Sequence, residues 1–478
     1  MRIATVTCAL AVVAAVGAPP GKAAAGDGVP LVTGPITGGE HGRPFTAAID
    51  DLASVGYRED EYFLEGQATA FAPKPGTALG SDGVWSVAPG APQAYKTRIL
   101  VRRPIDPKRF NGTVVVEWMQ SSAGFDKDVN WNWQNQEFIR SGNAWVGVSA
   151  QRQGVDGSPP SSTNRFKDLV RWDGARYGSL HIPSEGLSYD IFSQVGRVVG
   201  PNRPKAPVDA MGGLAVQKVL PIGDTFAADH LVVYYDAVQP LAHVFDGFFI
   251  GWRHISGGAA LAEDIQTPSV VRLRTDLAAP VIVVNTMAES LPHLPARQPD
   301  SDHYRLWEIA GAAHTNAYWA PKMFAIMHRD FAMPIPVCPQ PFNSVPNQYV
   351  MNAAVRWLDR WVRGGGAPPV IAPLTISGSP PTIVPDSFGN SAGGARLPEV
   401  TVPIARYEAG GDPNCPGGSG FTRAFPRSRL KTLYPAAGDY LAKYTAAARE
   451  AVQAGYLLPP DAEEAVAEAR RMDASIAR

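Results

Sequence analysis

"VLPIGDTFAADHLVVYY", residues 219–235, decides the fold. It opens as a short apolar run suited to a strand buried on both faces, turns at Gly223 and resumes as a helix. So sharp a turn needs small residues where the strand and helix backbones close on each other. Gly223 and Ala227 stand on either side of Thr225 in that pattern, small-x-nucleophile-x-small. Thr225 therefore occupies the nucleophile position, although a β-branched residue tolerates the positive φ of such a turn poorly and its secondary hydroxyl is hindered in attack. The competing reading makes Thr225 the N-cap of the following helix. Asp224 offers a carboxylate nucleophile instead, but that register puts Ile222 where the turn wants a small residue.

Working outward, "GTVVVEWM" (112–119) is a nearly unbroken apolar strand, "NWNWQNQEFIRSG" a helix stopped by Gly142, and "AWVGVSA" a second buried strand. Beyond the turn, "FDGFFIGW" (245–252), "APVIVVNT" (279–286) and "YRLWEIAGAAH" (304–314) supply further strands. Strands and helices alternating at this spacing predict an α/β fold with a doubly wound, mostly parallel sheet. Residues 28–110 read as β-rich and antiparallel. Residues 151–218 and 366–430 read as loop-rich cap insertions, the first ending in the helix that leads into the turn strand. "MNAAVRWLDRWVRGGG", from residue 351, is a helix with one apolar face closed by glycines. The expected organisation is a leader over 1–25, one α/β domain over 28–435, and a helical extension over 436–478 broken at Pro459 and Pro460.

The chain has 43 Lys plus Arg against 44 Asp plus Glu, a balance that argues against a polyanion-binding surface and so against nucleic acid as a partner. Arg2, the apolar run "IATVTCALAVVAAVGA" and the small-residue stretch "GKAAAG" have the order of a secretory signal cleaved near Ala25. The run is shorter than the roughly 20 residues of a membrane anchor, and nothing downstream is apolar enough to span, so the expectation is a secreted or periplasmic protein. Cys338 and Cys415 remain beyond the leader, both in Pro-rich loops. An exported protein pairs two such cysteines as a disulfide, and two free thiols are the alternative. No cysteine or histidine spacing suggests a metal site. "GGEHG" and "GGGAPP" lack the strand-to-helix setting of a phosphate or dinucleotide loop, so no cofactor is expected. Nothing fixes an oligomeric state.

Acyl transfer at a strand-to-helix nucleophile needs, in chain order, oxyanion donors after an early strand, the nucleophile, an acid after a later strand and a histidine after the last. The turn "QSSAGFD" offers backbone N–H groups at Gln120, Ser121 and Ser122 as the first, with Asp224 and Phe226 flanking the nucleophile. Glu289 in "VIVVNTMAES" holds the place of the orienting acid, against an exposed loop carboxylate as the bland alternative. His314 in "EIAGAAHTN" follows the last central strand, as a general base should.

With these residues in place, the chain resembles a bacterial, mostly uncharacterised "alpha/beta hydrolase domain" family of exported proteins. The resemblance runs through "GPITGG", "GYREDEYFLEGQA", "NGTVVVEW", "WVGVSAQRQGVDG", "RYGSL", "SYDIFSQ", "FDGFFIG", "RLWEIAGAAH" and "LYP". It implies an α/β-hydrolase fold and, for ordinary members, a serine-hydrolase site acting on an ester or related acyl bond. The departures fall on that site. Where the family usually reads G-E-S-Q-S-A, this chain reads "GDTFAA", with Thr225 for the serine. Where the family resembles Q-T-E-T-D, "NTMAE" has Met287 for the first acid and keeps Glu289.

Three functions follow as expectations. The first is an exported hydrolase cleaving a small-molecule carboxylic ester or lactone with Thr225 as nucleophile, His314 as base and Glu289 orienting it. The second is a pseudo-hydrolase whose pocket, lined by Phe226, Met287 and Trp118, binds an apolar ligand or partner. The third is non-hydrolytic acid/base chemistry at His314.

Overall fold

The computed structural model describes residues 29–157, 168–410, 415 and 418–476. The leader assigned to 1–25 and most of the Pro-rich stretch near 160 lie outside the described residues. A nine-stranded sheet organises the chain, in the order β1-β2-β3-β5-β4-β6-β7-β8-β9. β1 (Leu31–Thr33), β2 (Tyr57–Pro73) and β3 (Val87–Pro104) form an antiparallel flank, and β3 also meets β5 antiparallel. β5 (Ala144–Val148), β4 (Thr113–Trp118), β6 (Lys218–Asp224), β7 (Phe248–Gly251), β8 (Val281–Asn285) and β9 (Tyr304–Glu308) run parallel.

Period-two geometry sends alternate side chains of the parallel strands into two separate cores. Val114, Val116 and Trp118 of β4 join one core, as do Val281 and Val283 of β8. Val115 of β4, Leu220 and Ile222 of β6 and Ile282 and Val284 of β8 join the other. The long helices in chain order are α1 (Val129–Ser141), α2 (Ser188–Val199), α3 (Phe226–Val233), α4 (Met287–His293), α5 (Trp319–Phe331), α6 (Asn347–Val362), α7 (Asp439–Gln453) and α8 (Pro459–Ile476). α2 and α3 pack in the first core through Phe192, Val195, Ala227 and Leu231. α1 and α6 pack in the second through Trp131, Phe138, Met351 and Leu358. The connection 151–218 differs from expectation in one respect: α2 ends at Val199 and irregular chain, not helix, leads into β6.

Among the described residues no helix is long and apolar enough to cross a membrane. Cys338 and Cys415 are joined by a disulfide across 77 residues of sequence.

Candidate functional site

The parallel strands end together on one edge of the sheet, and the turn between β6 and α3 lies there. Thr225 is the turn residue, at φ 54° and ψ −116°, a region that costs a β-branched residue of order 1–3 kcal/mol. Its backbone is held by a hydrogen bond from its N–H to the Gly251 carbonyl of β7, 3.1 Å. The small residues of the motif have a direct physical cause: a Cβ on Gly223 would come within 3.0 Å of the Ala227 backbone and 2.9 Å of Leu231. Thr225 stands at the N-cap position of α3 but makes no side-chain cap bond, so the capping reading has no hydrogen bond behind it.

The Thr225 hydroxyl instead donates to Asp224 Oδ1. Burial pushes the Asp224 carboxyl up to about 7, against the lowering effects of His314, the Thr225 hydrogen bond and Lys127, while Glu289 adds to the rise. Asp224 Oδ2 is buried without a partner. Across from it, Lys127 is lowered to about 8 by burial, partly offset by Asp224.

Glu289 sits in the first turn of α4, where Thr286 and Glu289 form a reciprocal capping box. One Glu289 oxygen accepts from the Thr286 N–H (3.0 Å) and hydroxyl, and the other lies 2.7 Å from His314 Nδ1. Burial raises the Glu289 carboxyl, but the His314 and Thr286 hydrogen bonds outweigh it and hold the group below its ordinary value. The same contact raises His314 above its ordinary value despite desolvation. With Nδ1 bonded to a carboxylate, the imidazole turns Nε2 outward as the proton-accepting edge. The Trp252 indole donates to the His314 carbonyl (3.2 Å), and Gly418 lies against the ring so closely that a Cβ there would be 2.8 Å from Cδ2.

A family model described as "Alpha/beta hydrolase domain" matches residues 32–467. The chain belongs to the alpha/beta hydrolase family. No curated protein matches it. Among solved structures, the hydrolase is similar to MGS-M1, an alpha/beta hydrolase enzyme from a Medee basin deep-sea metagenome library, at 9% identity and TM-score 0.31, covering 62% of this chain and 100% of that one. A CE15 glucuronoyl esterase from Teredinibacter turnerae T7901 is similar at 11% identity and TM-score 0.29, with 66% and 76% covered. Oligopeptidase B from Leishmania major is similar at 10% identity and TM-score 0.29. There the match covers 58% of the hydrolase and only 36% of the peptidase's length.

The structure thus brings Thr225, Asp224, Glu289 and His314 to one edge of the hydrolase. No hydrogen bond joins Thr225 to His314 among the described residues; the hydroxyl is turned to Asp224. Of the three oxyanion candidates, the Gln120 N–H is already donated to the Lys127 carbonyl (3.1 Å), which removes it as a donor. Ser121 and Ser122 keep their places in the turn, and the Phe226 N–H is one of the unpaired donors at the start of α3. The expected pocket of Phe226, Met287 and Trp118 does not assemble. Trp118 has no exposed surface and packs on Phe192 and His230 in the first core, whereas Met287 belongs to the second. Phe226, by contrast, is 47% exposed.

Sequence reasoning missed Lys127, whose charge acts on both Asp224 and His314, and Asp229 and His254, whose side chains meet beside Phe226. The only signal for Asp229 was its place one helical turn after Thr225, and His254 carried none. Among the described residues no cluster of three or more His, Cys, Asp or Glu is arranged to hold a metal ion.

Proposed function

We propose that the hydrolase cleaves a carboxylic ester or lactone through Thr225, His314 and Glu289. The observation that carries this is the combination of a positive-φ threonine at the β6–α3 turn with a Glu289–His314 pair at 2.7 Å on the same sheet edge. Rotation about the Thr225 Cα–Cβ bond turns the hydroxyl from Asp224 towards His314. Its oxygen then attacks the ester carbonyl while His314 Nε2 accepts its proton. The Phe226 N–H and a Ser121 or Ser122 N–H receive the oxyanion. As the carbon–oxygen bond breaks, His314 returns the proton to the departing alkoxide, and a water activated by the same imidazole releases the acid and restores Thr225. Glu289 stays ionised throughout and holds the ring. The signal-like order of the first 25 residues in the sequence and the Cys338–Cys415 bond favour action outside the cytosol.

A second reading draws on a specific observation: the hydroxyl committed to Asp224 belongs to a scaffold whose hydrolysis has been weakened. A panel of short-to-medium-chain p-nitrophenyl esters separates the two. Activity in the wild type that falls by about 10³-fold or more in both Thr225→Ala and His314→Ala supports the proposal. A silent wild type with activity gained in Thr225→Ser supports the weakened scaffold, and Thr225→Ala hydrolysing as fast as the wild type overturns the nucleophile.

A further inference from the structure

Beside the nucleophile stands a second histidine that the reaction above does not use. His254 follows β7, and its Nδ1 is buried 3.3 Å from Asp229 Oδ2, while the side chain as a whole is 26% exposed. The exposed edge of the ring is therefore the opposite one, carrying Nε2. Asp229 lies one turn along α3 from Thr225, its N–H bonded to the Thr225 carbonyl at 3.1 Å. Its Oδ1 is buried with no partner and the facing His254 Nδ1 makes no hydrogen bond, so the two side chains meet as a close polar contact. His254 packs on Phe226, with ring centroids 4.6 Å apart and planes at 52°, and the charges of His314 and Glu289 both act on it.

This placement is built, not incidental. The neighbouring Arg253 is fully buried, donating to the carbonyls of Ser256 and Gly257 (3.2 Å each) and Val271 (2.5 Å). Its own N–H bonds Asn285 Oδ1 at 2.9 Å, at the end of β8. Four bonds thus hold the loop that presents His254. Meanwhile Phe226, immediately after the nucleophile, leaves nearly half its surface to solvent, where a polar residue would be expected.

We infer that Phe226 and His254 form the specificity shelf of this site, taking the flat ring of an aromatic ester and hydrogen-bonding an oxygen substituent on that ring through His254 Nε2. The inference rests on the ester-hydrolase reading and names its substrate class. An exposed phenyl face beside the reacting carbonyl matches a planar π-system better than a puckered aliphatic ring. An imidazole packed on that ring with its inner nitrogen beside a carboxyl presents its other, polar edge at the end of that face. Asp229 is a positioning residue acting through His254.

The test compares kcat/KM on methyl 4-hydroxybenzoate, methyl benzoate and methyl cyclohexanecarboxylate, and on the acetates of hydroquinone, phenol and cyclohexanol, which move the ring to the leaving group. In either series the wild type favours the aromatic ring, and Phe226→Leu lowers that preference by about fivefold. His254→Ala lowers the preference for the hydroxylated over the plain ring by about fivefold. Asp229→Ala repeats the His254→Ala pattern through KM with kcat held, and Asp229→Asn, which keeps a polar side chain of the same shape beside Nδ1, restores it. Substitutions that slow every ester equally overturn the inference. The same esters are titrated calorimetrically into Thr225→Ala, alone and combined with Phe226→Leu or His254→Ala. Ring-selective binding that these changes abolish, in a protein whose wild type hydrolyses nothing, leaves the shelf standing and removes the hydrolase reading. Equal binding of aromatic and cyclohexane esters removes the shelf whatever the turnover.

Discussion

The hydrogen bond and charge of Glu289, with the charge of Asp224 beside it, outweigh burial and Lys127 to favour the protonated form of His314. In the proposed reaction His314 must be neutral to accept a proton, so activity is expected to rise with pH as the imidazolium is lost. The Glu289 carboxylate favours the charged form, which moves that rise above the ordinary imidazole value of 6.5. Glu289→Gln removes the favouring charge, so the acid limb of kcat/KM shifts to lower pH. The ring also loses its orienting partner, so kcat falls by about 10³-fold. A pH–rate profile of the two proteins checks both signs; a limb that moves to higher pH contradicts the assignment. The residue scale is also where the sequence was least informative. It marked Thr225, Glu289 and His314 by their order along the chain, because each follows a recognisable strand. It gave no hint that the Thr225 hydroxyl turns to Asp224, since that depends on one side-chain rotation. Nor did it reveal that Gln120 spends its N–H on Lys127, since a closed turn and an open one have the same composition.

At the scale of elements, the turn between β4 and α1 is fixed from below by two fully buried arginines of β3. Arg102 reaches Glu59 and Asp128 at 2.6 Å each, with its guanidinium over the rings of Trp131 and Trp145. Arg98 donates to the Ser149 hydroxyl (3.0 Å) and pairs with Glu61 (3.0 Å) and, more loosely, Asp126 (3.7 Å). Asp126 and Asp128 flank Lys127, so the antiparallel flank holds in place the turn whose lysine acts on Asp224 and His314. Breaking a buried pair leaves its carboxylates uncompensated. Arg102→Ala is therefore expected to cost about 3–5 kcal/mol, read as a lower urea midpoint at unchanged m-value. The strands were legible because apolar runs of their length, bounded by Gly and Pro, have few other meanings. The meeting of Asp229 with His254 was not, because it arises only when β7 docks beside β6. The pairing of Arg98 and Arg102 with the β4–α1 turn depends on β3 lying two strands from β4 and was equally hidden.

Across the whole molecule, the parallel sheet and its antiparallel flank were the most legible features, since alternation of strand and helix leaves few topologies open. The split of the core into two was not read, and it undid the expected pocket: Trp118 and Met287 face opposite sides of the sheet. The disulfide acts at this scale too. It ties together segments 77 residues apart, and closing so long a loop restrains the unfolded chain by about 4 kcal/mol on the chain-entropy account. Cys338→Ser with Cys415→Ser should lower stability by up to that amount, as measured by chemical denaturation.

The bond also bears on what a proteolytic cut would do to the protein. Cys415 lies three residues before Gly418, which rests on the His314 ring and whose carbonyl accepts from the Thr315 N–H at 3.0 Å. A cut anywhere in the chain between the two cysteines yields two pieces that stay covalently attached, with the segment behind the histidine still tethered near it. A nicked protein would migrate as one species until reduced, and the histidine would keep its backing after the backbone is broken.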